Sequence, residues 1–225
     1  MNSLSVYIGR FSPFHLGHAE VLSRALSSST DVLLLIGSVG QARNIKNPFT
    51  FLERKEMVEG WCKEQPKNLG RLHILPLEDF PYNDQKWMRE VQKTVEAKYT
   101  EIRKLYGQIS TEIKLTGANR DDSSWYLRMF GNYFTLDVVE STKAGFGLNA
   151  TTIRTSLFER NNKWKNLVPL ATARVLNGMD LFTVDKLVRE YEFVREYKKS
   201  WANAPFPPTF VCVDACVVQS GHVLV

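Results

Sequence analysis

Two histidines lie three residues apart in Gly9-Arg10-Phe11-Ser12-Pro13-Phe14-His15-Leu16-Gly17-His18, where a strand-like run hands over to a helix-like one. Imidazoles and a guanidinium at the open end of a helix suit one kind of chemistry. They hold an anion beside unpaired backbone N–H groups and stabilise charge that develops on it. Ser5-Val6-Tyr7-Ile8, just before, has the apolar look of a buried strand, and Ala19–Leu26, just after, carries apolar residues at helical spacing. The aromatic-Pro-aromatic run fixes the loop, and Gly17 lets a ligand come close to the backbone. The pattern predicts an anion site, the anion being a nucleotide phosphate. It is neither a Walker A loop nor a dinucleotide fingerprint, since neither Gly-x4-Gly-Lys-Ser/Thr nor Gly-x-Gly-x-x-Gly follows the first strand. A P-loop kinase and a simple dehydrogenase are thereby disfavoured.

A second cluster, Leu148-Asn149-Ala150-Thr151-Thr152-Ile153-Arg154, comes late in the chain. Asn149 or Thr151 can cap the helix that follows. First-turn N–H groups, the Thr hydroxyls and Arg154 can then converge on phosphate oxygens. A cation in a first helical turn opposes the helix dipole. Arg154 is therefore expected to serve a bound polyanion, and its loss is expected to leave fold stability nearly unchanged.

These clusters need a scaffold, and the chain alternates strand-like and helix-like segments. Val32–Val39 reads as a central strand. Thr50-Phe51-Leu52-Glu53 is a capping box opening a helix to about Lys63. Strand Leu72–Leu77, a long helix from Asp84 to Tyr106, strand Glu112–Gly117, a short helix Ser123–Phe130 and strand Tyr133–Val139 follow. Alternation of this kind implies right-handed crossovers and a mostly parallel sheet covered on both faces. Lys143–Gly147 reads as a flexible loop, and helices then run to about Trp201.

Ala204-Pro205-Phe206-Pro207-Pro208 is a stiff Pro-rich linker, and Gln219-Ser220-Gly221 is a turn signal between strand-like runs. The expected organisation is a domain over 1–200, a linker over 201–208, and the incomplete start of a second domain over 209–225.

At 225 residues, 44% hydrophobic and net charge +5, the chain can build one large core with a mildly basic surface. The surface suits small polyanions, and no long Lys/Arg run suggests nucleic acid. No apolar run reaches membrane-spanning length, the N-terminus lacks a signal-peptide pattern, and Cys62, Cys212 and Cys216 form no CxxC pair. A cytoplasmic location is expected, with neither membrane nor nucleic-acid partner; a homo-oligomer is left open.

Together GRFSPFHLGH and NATTIR resemble the nucleotidyltransferase superfamily, with its HxGH motif after the first strand and an ISSTxIR-like motif before a late helix. Ser38–Thr50, continued by Glu53-Arg54, is similar to the corresponding loop of archaeal-type nicotinamide mononucleotide adenylyltransferases. Gly117–Leu127 is similar to that family's GxxKDxSSYYL stretch. The linker and hairpin resemble the start of the Nudix part in bifunctional adenylyltransferase–Nudix proteins. Asn149 and Ala150 stand where the family has serines, Arg120 stands where it commonly has Lys, and no Nudix box occurs.

The resemblance implies a Rossmann-like parallel sheet with helices on both faces, C-terminal helices and a short β-hairpin. It implies adenylyl transfer from ATP to nicotinamide mononucleotide, giving NAD and pyrophosphate. His15, His18 and Arg154 would act on the ATP phosphates. Gly9, Arg10, Phe11, Gly17, Asn149, Thr151 and Thr152 would complete the ATP site. Arg43, Asn47, Trp87, Arg120 and Asp121 would hold the mononucleotide. Mg²⁺ would be bound mainly through ATP phosphates, with no metal site built from protein ligands. Two other readings stand beside this one: transfer to a different phosphorylated acceptor, and a non-catalytic module that senses NAD or ATP.

Overall fold

A computed structural model describes residues 2–107, 109–118, 125–130, 133–138, 148–206, 218–219 and 222–223. Strands β1 (Asn2–Gly9), β2 (Asp31–Ile36), β3 (Arg71–Pro76), β4 (Ile109–Gly117) and β5 (Thr135–Val138) form one sheet in the order β3-β2-β1-β4-β5. Every neighbouring pair is parallel. The helices between them are α1 (Leu16–Ser28), α2 (Phe51–Lys63), α3 (Asp84–Tyr106) and α4 (Trp125–Met129).

The pleat explains why β1 and β2 are apolar almost throughout. Leu4, Val6, Ile8, Leu33 and Leu35 face one side, where Val91, Val95 and Ile102 of α3 and Leu127 of α4 cover them. Tyr7, Val32, Leu34 and Ile36 face the other, against Leu22, Ala25 and Leu26 of α1 and Met57, Val58 and Trp61 of α2. All six residues of β2 are buried. A strand buried on both faces has no polar face to show, so its sequence does not alternate.

β2 stops at Ile36 rather than Val39. Gly37 N–H donates to Gly9 O (2.9 Å), and Ser38 turns the chain away with a positive φ of 54°. Helix α1 starts at Leu16, three residues before the apolar spacing becomes visible, because its N-cap is His15. The Thr50 capping box forms as expected: Thr50 Oγ1 accepts from Glu53 N–H, and Glu53 accepts from Thr50 N–H (2.8 Å).

After the sheet come α5 (Ala150–Phe158), a 3-10 turn (Lys163–Leu167), α6 (Leu170–Asn177) and α7 (Leu181–Ser200). Helix α6 packs on α2, where Gly60 leaves room for Ala171; a Cβ at Gly60 would lie 2.8 Å from that of Ala171. Phe158 with Leu187 and Val188 of α7 forms a small separate core, partly covered by Ile45 and Tyr191. Beyond the linker, β6 (Val218–Gln219) and β7 (His222–Val223) pair antiparallel, Gln219 opposite His222. The expected loop at 143–147 and residues 209–217 of the expected hairpin lie outside the described residues.

Candidate functional site

Sheet order fixes where a ligand can enter. From β1 the chain crosses to β2 on one side, and β4 lies on the other, so a crevice opens beyond the C-terminal ends of the strands. A cavity of about 700 Å³ occupies that position. Its walls come from Tyr7–Gly9 at the end of β1, Gly37 and Ser38 after β2, Leu77 and Asp79 after β3, Ala118 after β4, and the start of α5.

Nine of the residues predicted for the site meet there: Gly9, Arg10, Phe11, His15, His18, Trp87, Asn149, Thr151 and Arg154. The other four within the described residues do not line the cavity. Gly17 is buried in the first turn of α1. Thr152 gives its N–H and hydroxyl to Asn149 Oδ1 (2.8 and 3.0 Å). Arg43 makes a two-pronged ion pair with Glu53 (2.7 and 2.8 Å) and donates to Pro48 O. The Asn47 amide donates to Gln41 Oε1 (2.9 Å). Arg120 and Asp121 lie outside the described residues.

His15 and His18 close a capping box on each other. His15 Nδ1 accepts from His18 N–H (3.4 Å), and His18 Nδ1 accepts from His15 N–H (3.3 Å). A backbone N–H can only donate, so each Nδ1 must be unprotonated and each ring proton sits on Nε2. Both imidazoles are thereby set as Nε2–H donors. Their rings stack with centroids 3.6 Å apart, and Phe11 meets His18 edge-on at 5.0 Å. Gly9 is required here, since a Cβ would come within 2.8 Å of the Phe11 ring.

Arg154 lines the cavity as expected, but not from the first turn of its helix. It lies in the second turn of α5 and is buried, 8% exposed. Its guanidinium donates to Ser12 O (2.7 Å), Ile45 O (3.1 Å) and Thr151 Oγ1 (3.1 Å). It therefore ties three segments together, contacts that argue against its removal sparing stability. Burial, with the nearby Arg10 charge adding to it, lowers its pKa to about 10. It stays protonated at neutral pH.

Several wall residues escaped the sequence reading. Ser38 and Gln41 both donate to Asp79 (3.3 and 2.9 Å). Tyr126 donates its hydroxyl to Ile8 O (3.1 Å), and burial raises its pKa to about 12, so it remains a neutral donor. Trp87 meets Tyr126 edge-on with centroids 6.2 Å apart and leans on Phe130 at 5.8 Å, which makes it part of the core and of the wall at once. Three non-glycine residues of positive φ, Phe11 (50°), Ser38 (54°) and Tyr82 (61°), also line the cavity. Such backbone costs about 1–3 kcal/mol per residue and collects at ligand sites.

A doubly covered parallel sheet with a basic, His-lined cavity at its switch point defines a nucleotide-binding α/β protein of the HxGH type. The chain belongs to the Cytidylyltransferase-like family, which matches residues 6–155. It is 36% identical over 154 residues to a nicotinamide/nicotinic acid mononucleotide adenylyltransferase of Acinetobacter baylyi, covering 68% of this chain and 74% of that protein. Identity to a nicotinamide-nucleotide adenylyltransferase of Saccharolobus solfataricus is 38% over 82 residues, 36% of this chain and 48% of that one. A solved bifunctional NMN adenylyltransferase/ADP ribose pyrophosphatase from Francisella tularensis, complexed with AMP and a manganese ion, superposes with a TM-score of 0.76 at 33% identity. That match covers 99% of this chain but 62% of the Francisella chain, so this chain spans less than two thirds of the longer relative.

Proposed function

We propose that the protein transfers the adenylyl group of ATP to nicotinamide mononucleotide, giving NAD and pyrophosphate. The observation that carries this reading is the meeting of His15, His18, Arg10 and Arg154 in one cavity that Trp87 also lines. The relatives' names support the acceptor and do not favour a different one.

In this reaction a phosphate oxygen of the mononucleotide attacks the α-phosphorus of ATP. The bond from that phosphorus to the α,β-bridging oxygen breaks, and pyrophosphate leaves with the electron pair. The nucleophile is already anionic at neutral pH, so no base is needed. What the chain must supply is alignment of two anions and donors for the charge that builds on the phosphates. The Nε2–H groups of His15 and His18 face the ATP phosphates, Arg10 and Arg154 receive the β- and γ-phosphates, and Thr151 and Asn149 frame the triphosphate. Trp87 stacks on the nicotinamide ring.

Among the described residues no group of three His, Cys, Asp or Glu could hold a metal. Mg²⁺ would arrive on ATP phosphates and water and supply charge neutralisation there. Residues 1–200 act as the transferase unit, 201–208 as the linker, and 209–225 as the opening of a second, Nudix-like unit. Support comes from the end of α7 at Ser200 and from the longer, bifunctional Francisella relative.

Incubation with ATP, Mg²⁺ and a panel of phosphorylated acceptors, read by product mass, tests the assignment. NAD is the expected product. Adenylylation of another acceptor with no NAD formed overturns it.

A further inference from the structure

Arg54 has no place in the mechanism above, yet it is 1% exposed and sits directly behind the cavity wall. It rises from the first turn of α2, and its guanidinium is spent on backbone carbonyls. Nη1 donates to Arg10 O (2.8 Å) and Gly37 O (2.6 Å), Nη2 to Ser38 O (3.1 Å), and Nε to Thr50 O (3.2 Å). Those carbonyls belong to the loop after β1, the loop after β2 and the start of α2. Among the described residues no carboxylate lies within ion-pair distance of Arg54, Arg10 or Arg154.

Burying a guanidinium without a carboxylate is costly, and an apolar side chain of similar bulk would fill the space more cheaply. The fold gains something else from it. Ser38 holds a strained φ of 54°, clamped at its carbonyl by Arg54 and at its N–H by Asp79. The Arg10 side chain runs across Gly37, its Cγ within 4.0 Å of where a Gly37 Cβ would stand, and Arg54 grips the carbonyls of both residues. A planar fork reaching three segments fixes their relative positions as no ammonium can.

We infer that Arg54 is a positioning residue for ATP: it locks the Arg10 and Ser38 loops so that the Arg10 guanidinium meets the triphosphate. Its buried charge adds to the field that the polyanion completes. Burial pushes its pKa down to about 10, Asp79 opposing and Arg10 reinforcing the shift, so the charge persists at neutral pH. The inference rests on the adenylyltransferase reading for the identity of the ligand.

A double-mutant cycle of Arg54→Lys and Arg10→Ala tests it. The readouts are calorimetric affinity for a non-hydrolysable ATP analogue, and kcat and KM for ATP and for the mononucleotide. Arg54→Lys should lose on the order of tenfold in analogue affinity and in kcat/KM for ATP, with KM for the mononucleotide nearly unmoved. In the Arg10→Ala background the same change should cost less than about twofold, because the group it positions is gone. Full additivity, or wild-type ATP affinity in folded Arg54→Lys, overturns the inference. Should Arg54→Lys not fold, the Arg54 Nε–H resonance of the wild-type protein is followed on adding the analogue; a shift supports the coupling and an unmoved signal refutes it. Analogue binding needs no acceptor. A wild-type protein that binds the analogue but adenylylates no mononucleotide defeats the proposed function while leaving the Arg54 coupling measurable.

Discussion

His15 and His18 are bound twice into the molecule, once as helix cap and once as wall of the cavity, and the two roles separate in experiment. Either substitution by Ala removes half of the reciprocal cap and should cost about 1 kcal/mol of stability. His18→Ala should also lower kcat about a hundredfold, the order expected for one preorganised donor facing developing charge, with a smaller effect on ground-state ATP binding. Near-wild-type kcat would return His18 to a purely structural role. Arg154 is held by a contact that its sequence neighbourhood cannot show: its partner Ser12 lies 142 residues away. Arg154→Ala leaves the Ser12 and Ile45 carbonyls without their donor and should cost about 1–3 kcal/mol while also impairing ATP use severely. Arg154→Lys should restore part of each, since one ammonium cannot reproduce the fork. Paired thermal and kinetic measurements on each variant check this; an unchanged thermal midpoint in Arg154→Ala would contradict the tether. The histidine pair was legible as a site because both residues fall within one decapeptide. That each ring caps the backbone N–H of the other was not, since the spacing alone does not say which ring nitrogen meets which N–H.

At the level of elements, local chemistry was readable and long-range chemistry was not. The Thr50 box announces α2 because its partners are three residues apart, and Asp84 to Tyr106 matches α3 end to end. The short helix expected from Ser123 is described only as Trp125–Met129, and β4 reaches back to Ile109 through pairing with β1. Arg54 showed in the sequence only as part of a family-like stretch; its tie to the Arg10 carbonyl, 44 residues off, did not. The same blindness hid Asp31, buried at the start of β2. It accepts from Arg71 through both oxygens (2.6 and 2.9 Å) and lies 2.8 Å from His73 Nε2, both on neighbouring β3. Burial alone would raise its pKa; the Arg71 and His73 hydrogen bonds outweigh it and hold the carboxyl below its ordinary 3.8. A depressed carboxyl contributes stability that is present above its unfolded-state pKa and is lost as pH falls through the folded value. Asp31→Asn should therefore cost about 2 kcal/mol at pH 7. Its deficit relative to wild type should shrink below about pH 4. A deficit constant down to pH 2 would mean that the pairing carries no pH-dependent stability.

The whole molecule is organised around a charge imbalance at one end of its sheet. Arg10, Arg54 and Arg154 converge on the cavity without carboxylate partners within ion-pair distance among the described residues, although acidic residues are nearly as numerous as basic ones in the chain, 24 against 29. At the opposite end of the strands Asp31 and Arg71 are paired closely. Arg10 repels both Arg54 and Arg154, a cost of the unliganded state that a bound triphosphate would remove. Nucleotide binding should thus raise the thermal midpoint by more than an uncharged ligand of equal size could. At a thousand times its dissociation constant, ATP should add about 4 kcal/mol by linkage. If Arg10 and Arg154 receive the β- and γ-phosphates as proposed, ATP should stabilise clearly more than AMP at matched concentration. The difference should narrow as salt rises from about 0.01 to 1 M and the Debye length falls from about 30 to 3 Å. Arg154→Ala should narrow it as well. Thermal melts of the wild-type protein and this variant, with AMP, ATP or neither, across that salt range give the comparison. Equal stabilisation by AMP and ATP, insensitive to salt, would mean that the arginine cluster is held for packing alone and that the phosphate end of the cavity lies elsewhere.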